Sequence, residues 1–313
     1  MPADKISIVF SFRNEEETLP ALLERLSAMS KDRPEEFEFI FVNDRSCDRS
    51  LEILGVAHAA DPRVKVITMA RRSGPSECVF AGLAACVGDA AIFMDCDLQD
   101  PPELIPTLIE KWKGGAEVVH TMRTQRMGEH WLRLWMTRRA YEVINWTSNG
   151  SLPIEAGDFK LVSRRVVDHL LSLTEHDPYL RGLAVWIGFN QTFVPYERHP
   201  RHDGDSKFSG LHRNAVKTMI SGVTSFSFTP IYVVGLAGCA GLAMAPLLLL
   251  GGAFAAAAIL ALWGGLMAAL GLVGLYVARV YKEVRGRPRW IIADCLGIEG
   301  KPDPAITSWR SGR

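Results

Sequence analysis

Ala90-Ala91-Ile92-Phe93-Met94-Asp95-Cys96-Asp97-Leu98-Gln99-Asp100-Pro101-Pro102-Glu103 decides the reading of this chain. Residues 90–94 form a short apolar run of the kind that makes a buried strand, and Asp95 and Asp97 follow at its C-terminal end. Two carboxylates at i and i+2 on a strand end can hold one hard divalent cation through oxygen ligands, beside a diphosphate. A solvated acidic turn capping the next helix is the alternative that the run alone leaves open.

Working outward, the same strand-then-helix grammar repeats. Ile6–Phe12 reads as a strand, and Asn14 to Met29 as a helix whose acidic start suits a helix N-terminus. Phe37–Val42 reads as a strand ending at Asn43-Asp44, and Ser46 or Asp48 as a cap for a helix over 48–59. A strand over 64–69, a helix over 76–86, a helix over 102–113 and a strand over 116–121 complete the series. Such alternation predicts an α/β fold with a mostly parallel sheet and right-handed crossovers. Ligands in these sheets lie beyond the carboxyl ends of the strands. Ser11 to Glu15, Asn43-Asp44, Arg71 to Gly74, Asp95 to Gln99 and Arg123 all fall there. Neither a Gly-x-Gly-x-x-Gly fingerprint nor a Walker loop is present, which argues against dinucleotide and P-loop chemistry.

Beyond residue 124 the pattern loosens. Residues 129–147 read as helical and carry Arg133, Arg138 and Arg139. A strand begins at Gly157-Asp158-Phe159-Lys160-Leu161, and a helix spans 163–173. Residues 198–209 form a polar loop; its His199 and His202 read as part of a solvated basic segment, with metal ligation as the alternative. Residues 211–222 mix basic and apolar side chains in a pattern that suits an interfacial helix.

From Thr218 to Ala278 the chain carries no charge, although Lys+Arg and Asp+Glu balance at 35 each over 313 residues. The balance gives no reason to expect a nucleic-acid partner. A helix needs about 20 apolar residues to cross the bilayer. The stretch therefore predicts two spans, near 230–250 and 254–278, turning at Gly251-Gly252. Both flanks are basic and the turn is uncharged, which predicts cytoplasmic termini at a plasma (inner) membrane. The expected division is a catalytic domain over 1–210, an interfacial helix over 211–228, two spans within 229–279, and a basic cytoplasmic tail over 280–313. Met1 to Phe12 lacks a signal-peptide pattern. The six cysteines lack Cys-x-x-Cys spacing, and free thiols are expected.

Taken together, Asn14-Glu15-Glu16, Asn43-Asp44-Arg45-Ser46-Cys47-Asp48, the 95–103 run, Gly157-Asp158-Phe159, Arg181-Gly182-Leu183, Ser206-Lys207-Phe208 and Ser225-Phe226-Ser227 resemble a known family. They are similar to inverting, metal-dependent glycosyltransferases of the GT-A fold that use a polyprenyl phosphate acceptor, over roughly residues 5–290. The resemblance implies that Ser11, Arg13 and Glu15 line a nucleoside pocket and that Asp44 accepts a hydrogen bond from the base. It implies that Asp95 and Asp97 face the sugar diphosphate and bind Mg²⁺ or Mn²⁺, with Asp97 the direct ligand. Gln99 would stand by the sugar or the metal, Lys207 and Arg201 by the pyrophosphate, and Arg123, Arg133 and Thr137 by the lipid phosphate. Asp158 would act as a base or orient the acceptor. The chain departs from the family pattern at Ser11, Arg13, Asn43, Arg45 and 72–75, all around the nucleotide pocket.

The function so implied is transfer of a sugar, with UDP as the first choice of carrier, to undecaprenyl phosphate with inversion, by a membrane-bound homo-oligomer that relatives suggest is a tetramer. A membrane-anchored nucleotide-sugar binding protein without turnover is the alternative. A processive polysaccharide synthase is disfavoured because Gln-x-x-Arg-Trp is missing.

Overall fold

The computed structural model describes residues 3–123, 156–197 except 174 and 177, and 252–298, with positions 234, 236, 238 and 240. In chain order its elements are β1 (Lys5–Phe12), α1 (Leu19–Ser30), β2 (Glu36–Asn43), α2 (Ser50–Ala60), β3 (Val64–Met69), α3 (Pro75–Ala85) and β4 (Ala90–Asp95). A 3₁₀ turn over Pro102–Leu104 leads into α4 (Ile105–Lys113). There follow β5 (Val118–Arg123), β6 (Ala156–Ser163), α5 (Arg164–Ser172), α6 (Leu180–Trp186) and β7 (Gln191–Tyr196). A long helix, Gly252–Val284, precedes β8 (Ile292–Leu296).

The eight strands form one sheet in the order β7-β5-β6-β4-β1-β2-β3-β8. The β1–β2, β1–β4, β2–β3 and β5–β7 pairs are parallel; β6 and β8 run against their neighbours. The central strands are apolar on both faces because helices cover both. Ile6, Ile8 and Phe10 pack with Leu19, Leu22 and Leu26 of α1 and with Ile105, Leu108 and Ile109 of α4 in one core. On the opposite face α3 lies against β1 and β2. A Cβ on its Gly82 would come within 2.3 Å of Val9, so only glycine lets the helix sit so close.

The mostly parallel α/β sheet agrees with the reading of the sequence, and several details differ. The first helix begins at Leu19 rather than Asn14, since Asn14 adopts φ 54° and residues 15–18 form a turn before Pro20 enters the first helical turn. Ser46 does not cap α2, which has no side-chain cap; its Oγ accepts Asn14 N instead. Strand β7 had no clear sequence signal. Part of the expected basic tail is a strand: residues 292–296 pair antiparallel with β3, Ala70 N donates to Ile291 O, and Trp290 stacks on Phe80.

The helix Gly252–Val284 runs past the predicted end of the second span. Its segment Ala261–Val284 is long and apolar enough to cross a membrane, and its side chains Trp263, Leu266 and Leu270 are exposed. The predicted first span lies outside the described residues apart from four helical positions, as do the interfacial helix over 211–228 and the segment 129–147. Among the described residues Cys47, Cys78, Cys86, Cys96 and Cys295 are free thiols.

Candidate active site at the carboxyl edge of the sheet

The ends of β1, β2, β3 and β4 carry the nucleotide-side candidates. Ser11 is paired in register with Asp95 on the neighbouring strand. After β4 burial alternates: Cys96, Leu98 and Asp100 turn inward, while Asp95, Asp97 and Gln99 stay half-exposed. Leu98 holds φ 58° to keep that alternation through the bend, and Gln99 N donates to Asp97 Oδ1 (3.2 Å). Left-handed backbone at a bulky residue costs about 1–2 kcal/mol. Asn14 and Arg45 (φ 59°) adopt it too, just beyond β1 and β2, so backbone strain gathers at the strand ends.

These ends are laced together. Cys47 N donates to Asn14 Oδ1 (2.9 Å), Asn14 N to Ser46 Oγ (2.9 Å), Glu15 N to Ser50 Oγ (3.0 Å) and Glu16 N to Asp48 Oδ2 (3.1 Å). The buried Asp44 carboxylate accepts Ser73 N (2.6 Å) and Gly74 N (3.2 Å), fixing the loop after β3. Arg45 Nη1 donates to Ala70 O on that loop (3.1 Å). Thus Asp44 already has loop amides on both oxygens. Arg13 and Glu15, on either side of Asn14 in the loop after β1, are half-buried, and Thr18 Oγ1 donates to Glu15 Oε2 (3.2 Å).

Asp95 and Asp97 are hard, half-exposed oxygen donors, and Mg²⁺ or Mn²⁺ is commonly bound by one or two carboxylates plus water and substrate phosphates. Burial raises the intervening Cys96 thiol well above its ordinary pKa, so it stays protonated and out of the donor set. Among the described residues no three His, Cys, Asp or Glu side chains converge. The donor set fits an ion that completes its shell from a bound diphosphate.

The other half of the edge is built from β5, β6 and β7. Phe93 and Lys160 are antiparallel partners, so Asp95, two residues after Phe93, and Asp158, two residues before Lys160, both lie at this edge of the sheet. Arg181 of α6 grips Asp158 with Nε and Nη2. Burial alone would raise the Asp158 carboxyl; Arg181, with smaller help from Lys160 and Arg123, outweighs it and brings the pKa down to about 2. An anion held so low is a weak base. Behind it Lys160 is fully buried, its Nζ having no hydrogen-bond partner among the described residues, and burial depresses it to about 8 against the pull of Asp158. His120, in register with Lys160, is pushed down to about 4 by burial and by that charge.

On the same edge Tyr196 Oη donates to the fully buried Asp100 Oδ1 (2.5 Å) and accepts from Arg123 Nε (3.3 Å). Gly157 lies against them: a Cβ there would stand in ordinary contact with Tyr196 Oη (3.5 Å) and Arg123 Nε (3.7 Å) and more tightly against Thr121 Oγ1 (3.3 Å).

The structure therefore gathers Ser11, Arg13, Glu15, Asp44, Asp95, Asp97, Gln99, Arg123 and Asp158 along one edge of the sheet. Lys207, Arg201, Arg133 and Thr137 lie outside the described residues. The sequence reading gave no role to Arg181, Lys160, Asp100 or Tyr196. Arg181 had a signal, since Arg181-Gly182-Leu183 carries part of the resemblance; Tyr196 had only the weak alternation of Val194 and Tyr196.

Comparison with known proteins bears on this edge. Residues 7–171 match the profile of glycosyl transferase family 2. The chain is 36% identical to the uncharacterized glycosyltransferase YkcC of Bacillus subtilis (strain 168), over 94% of this chain and 95% of that protein. It is 34% identical to the SfII prophage-derived bactoprenol glucosyl transferase of Shigella flexneri, over 92% and 97%. It is 32% identical to the undecaprenyl-phosphate 4-deoxy-4-formamido-L-arabinose transferase of Pseudomonas fluorescens, over 98% and 95%. Among solved structures, glucosyl-3-phosphoglycerate synthase from Mycobacterium tuberculosis, in complex with Mn²⁺, UDP and glucosyl-3-phosphoglycerate, superposes with TM-score 0.51 at 20% identity, covering 72% of this chain and 80% of that one; at that identity the likeness is one of fold. The chain belongs to glycosyl transferase family 2.

Proposed function

We propose that this glycosyltransferase moves a sugar from a nucleoside diphosphate, UDP before other bases, to undecaprenyl phosphate at the cytoplasmic face of the plasma membrane, with inversion. The observation that carries the reading is one sheet edge holding the Asp95/Asp97 pair beside Arg123 and the Asp158–Arg181 pair, in a chain with an apolar helix of membrane-crossing length. Relatives named for bactoprenol and undecaprenyl phosphate support the acceptor, and the UDP complex of a protein of the same fold supports the carrier.

Asp95 and Asp97 would hold Mg²⁺ or Mn²⁺ with the donor diphosphate. The bound ion would supply Lewis-acid neutralisation of charge on the departing diphosphate. Ser11, Arg13, Glu15 and Asp44 fix the nucleoside through the laced loops, Gln99 stands by the sugar, and Lys207 and Arg201 by the pyrophosphate. Arg123, Arg133 and Thr137 orient the acceptor phosphate; guanidinium suits this because it stays charged and binds phosphate bidentately. A phosphate oxygen of the acceptor forms the bond to the anomeric carbon as the bond to the diphosphate oxygen breaks and its electron pair leaves with the nucleotide. The acceptor is already an anion, so Asp158 need not remove a proton. Held ionised by Arg181, it orients that guanidinium near the reacting groups. The enzyme is multi-pass, with two C-terminal spans and both termini cytoplasmic, and works as a homo-oligomer, a tetramer on this reading.

The test is transfer from radiolabelled UDP- and GDP-sugars to undecaprenyl phosphate with Mg²⁺ or Mn²⁺. One donor should give a chloroform-soluble product that EDTA removes and that Asp97→Ala lowers about a thousandfold. Tight donor binding with no lipid product from any sugar would replace this reading with that of a binding protein.

A further inference from the structure

The loop that carries Asp95 and Asp97 does not end at Gln99. Its next residue, Asp100, is fully buried and accepts a hydrogen bond from the Tyr196 hydroxyl on Oδ1, and the same hydroxyl oxygen accepts from Arg123 Nε–H. The hydroxyl has a single hydrogen, so donating to Asp100 leaves only a lone pair for Arg123. The bond to Nε fixes the guanidinium plane and leaves the terminal nitrogens as the pair that can fork onto a phosphate. Tyr196 is itself held by an edge contact with Phe159, and Arg123 and Tyr196 are register partners at the ends of β5 and β7. Burial and the facing Asp100 raise the phenol to about 12, so it remains a protonated donor at neutral pH.

We infer that Tyr196 and Asp100 are positioning residues that tie the acceptor-phosphate arginine, Arg123, to the metal-binding loop of Asp95 and Asp97. The inference rests on the reading of Arg123 given above. It makes the acceptor site depend on a hydroxyl that acts through Arg123. Tyr196→Phe keeps the ring and its contact with Phe159 but removes both bonds, and a hydrogen bond to a charged group commonly carries about a tenfold effect or more.

The experiment measures binding of undecaprenyl phosphate in nanodiscs, binding of UDP with Mn²⁺, and the two KM values, for wild type, Arg123→Ala, Tyr196→Phe and the double variant. Tyr196→Phe should weaken acceptor binding and raise the acceptor KM about tenfold, with UDP binding within about twofold of wild type. The double variant should bind acceptor no more weakly than Arg123→Ala alone, because both act through one guanidinium. Full additivity, or an equal loss of UDP and acceptor binding, overturns the inference. If Arg123→Ala leaves acceptor binding unchanged, the assignment of Arg123 fails first and takes the inference with it. If Arg123→Ala weakens binding and Tyr196→Phe does not, only the link fails. Asp100→Asn, which keeps an acceptor oxygen, should fall between wild type and Tyr196→Phe; should Tyr196→Phe not fold, a wild-type acceptor KM in Asp100→Asn with a lowered kcat overturns the inference.

Discussion

The two halves of the sheet edge are held by different kinds of bond. On the side of β1, β2 and β3, loops from adjacent parallel strands are stitched through backbone amides and short polar side chains: Asn14 with Cys47, Asp48 with Glu16, Asp44 with Ser73 and Gly74. On the side of β5, β6 and β7 the ties join long side chains from separate elements: Asp158 with Arg181, and Asp100 with Tyr196 and Arg123. The first construction gives a rigid surface whose shape is set by backbone. The second gives charge at defined positions, which a phosphate can exchange for its own. On the proposed function, the former would suit a nucleoside and the latter an anionic acceptor.

The sharpest way to break this contrast is Asp158→Asn. If Asp158 serves by holding Arg181, kcat should drop about a hundredfold, as when one preorganised electrostatic group is lost. The pH–rate profile should keep its shape above about pH 5, because a carboxyl brought to about 2 is already ionised there. A limb near neutrality in wild type that vanishes in the variant would restore Asp158 as a general base.

A smaller effect tests the stitched side. Asn14→Ala removes the acceptor of Cys47 N and places alanine at φ 54°, which alanine tolerates less well than asparagine. A loss of about 1–3 kcal/mol in thermal unfolding in detergent is expected, with a several-fold rise in the KM for donor and little change for acceptor. An equal change in both would mean that the halves are not separate.

The smallest effect concerns Lys160. Its folded pKa of about 8 lies below the ordinary lysine value, so the unfolded chain binds more protons between the two and stability rises as pH rises through that window. Below it, the buried charge opposes folding. Lys160→Met should abolish that rise and stabilise the neutral-pH form by about 1 kcal/mol, since Asp158 keeps Arg181. Melting curves from about pH 7 to pH 10 give the answer. A rise that persists in the variant would assign it to another group.

What the sequence by itself determined is local. Apolar runs ending in Asn43-Asp44 or Asp95-Cys96-Asp97 mark strands and the edge where a ligand sits, because strand period and strand-end chemistry lie within a few residues of each other. The strand ends that bring Asp44, Asp95 and Asp97 to one edge were legible for that reason, and so was the apolar stretch that contains Ala261–Val284. Only the tertiary structure decided that Asp158 is met by Arg181, 23 positions away, that Asp100 meets Tyr196, 96 positions away, and that residues 292–296 return as an edge strand on β3. A carboxylate in a sequence carries no mark of the cation it will face. Its pKa and its role depend on burial and on charges brought in by distant strands, and those exist only once the sheet has closed on its helices.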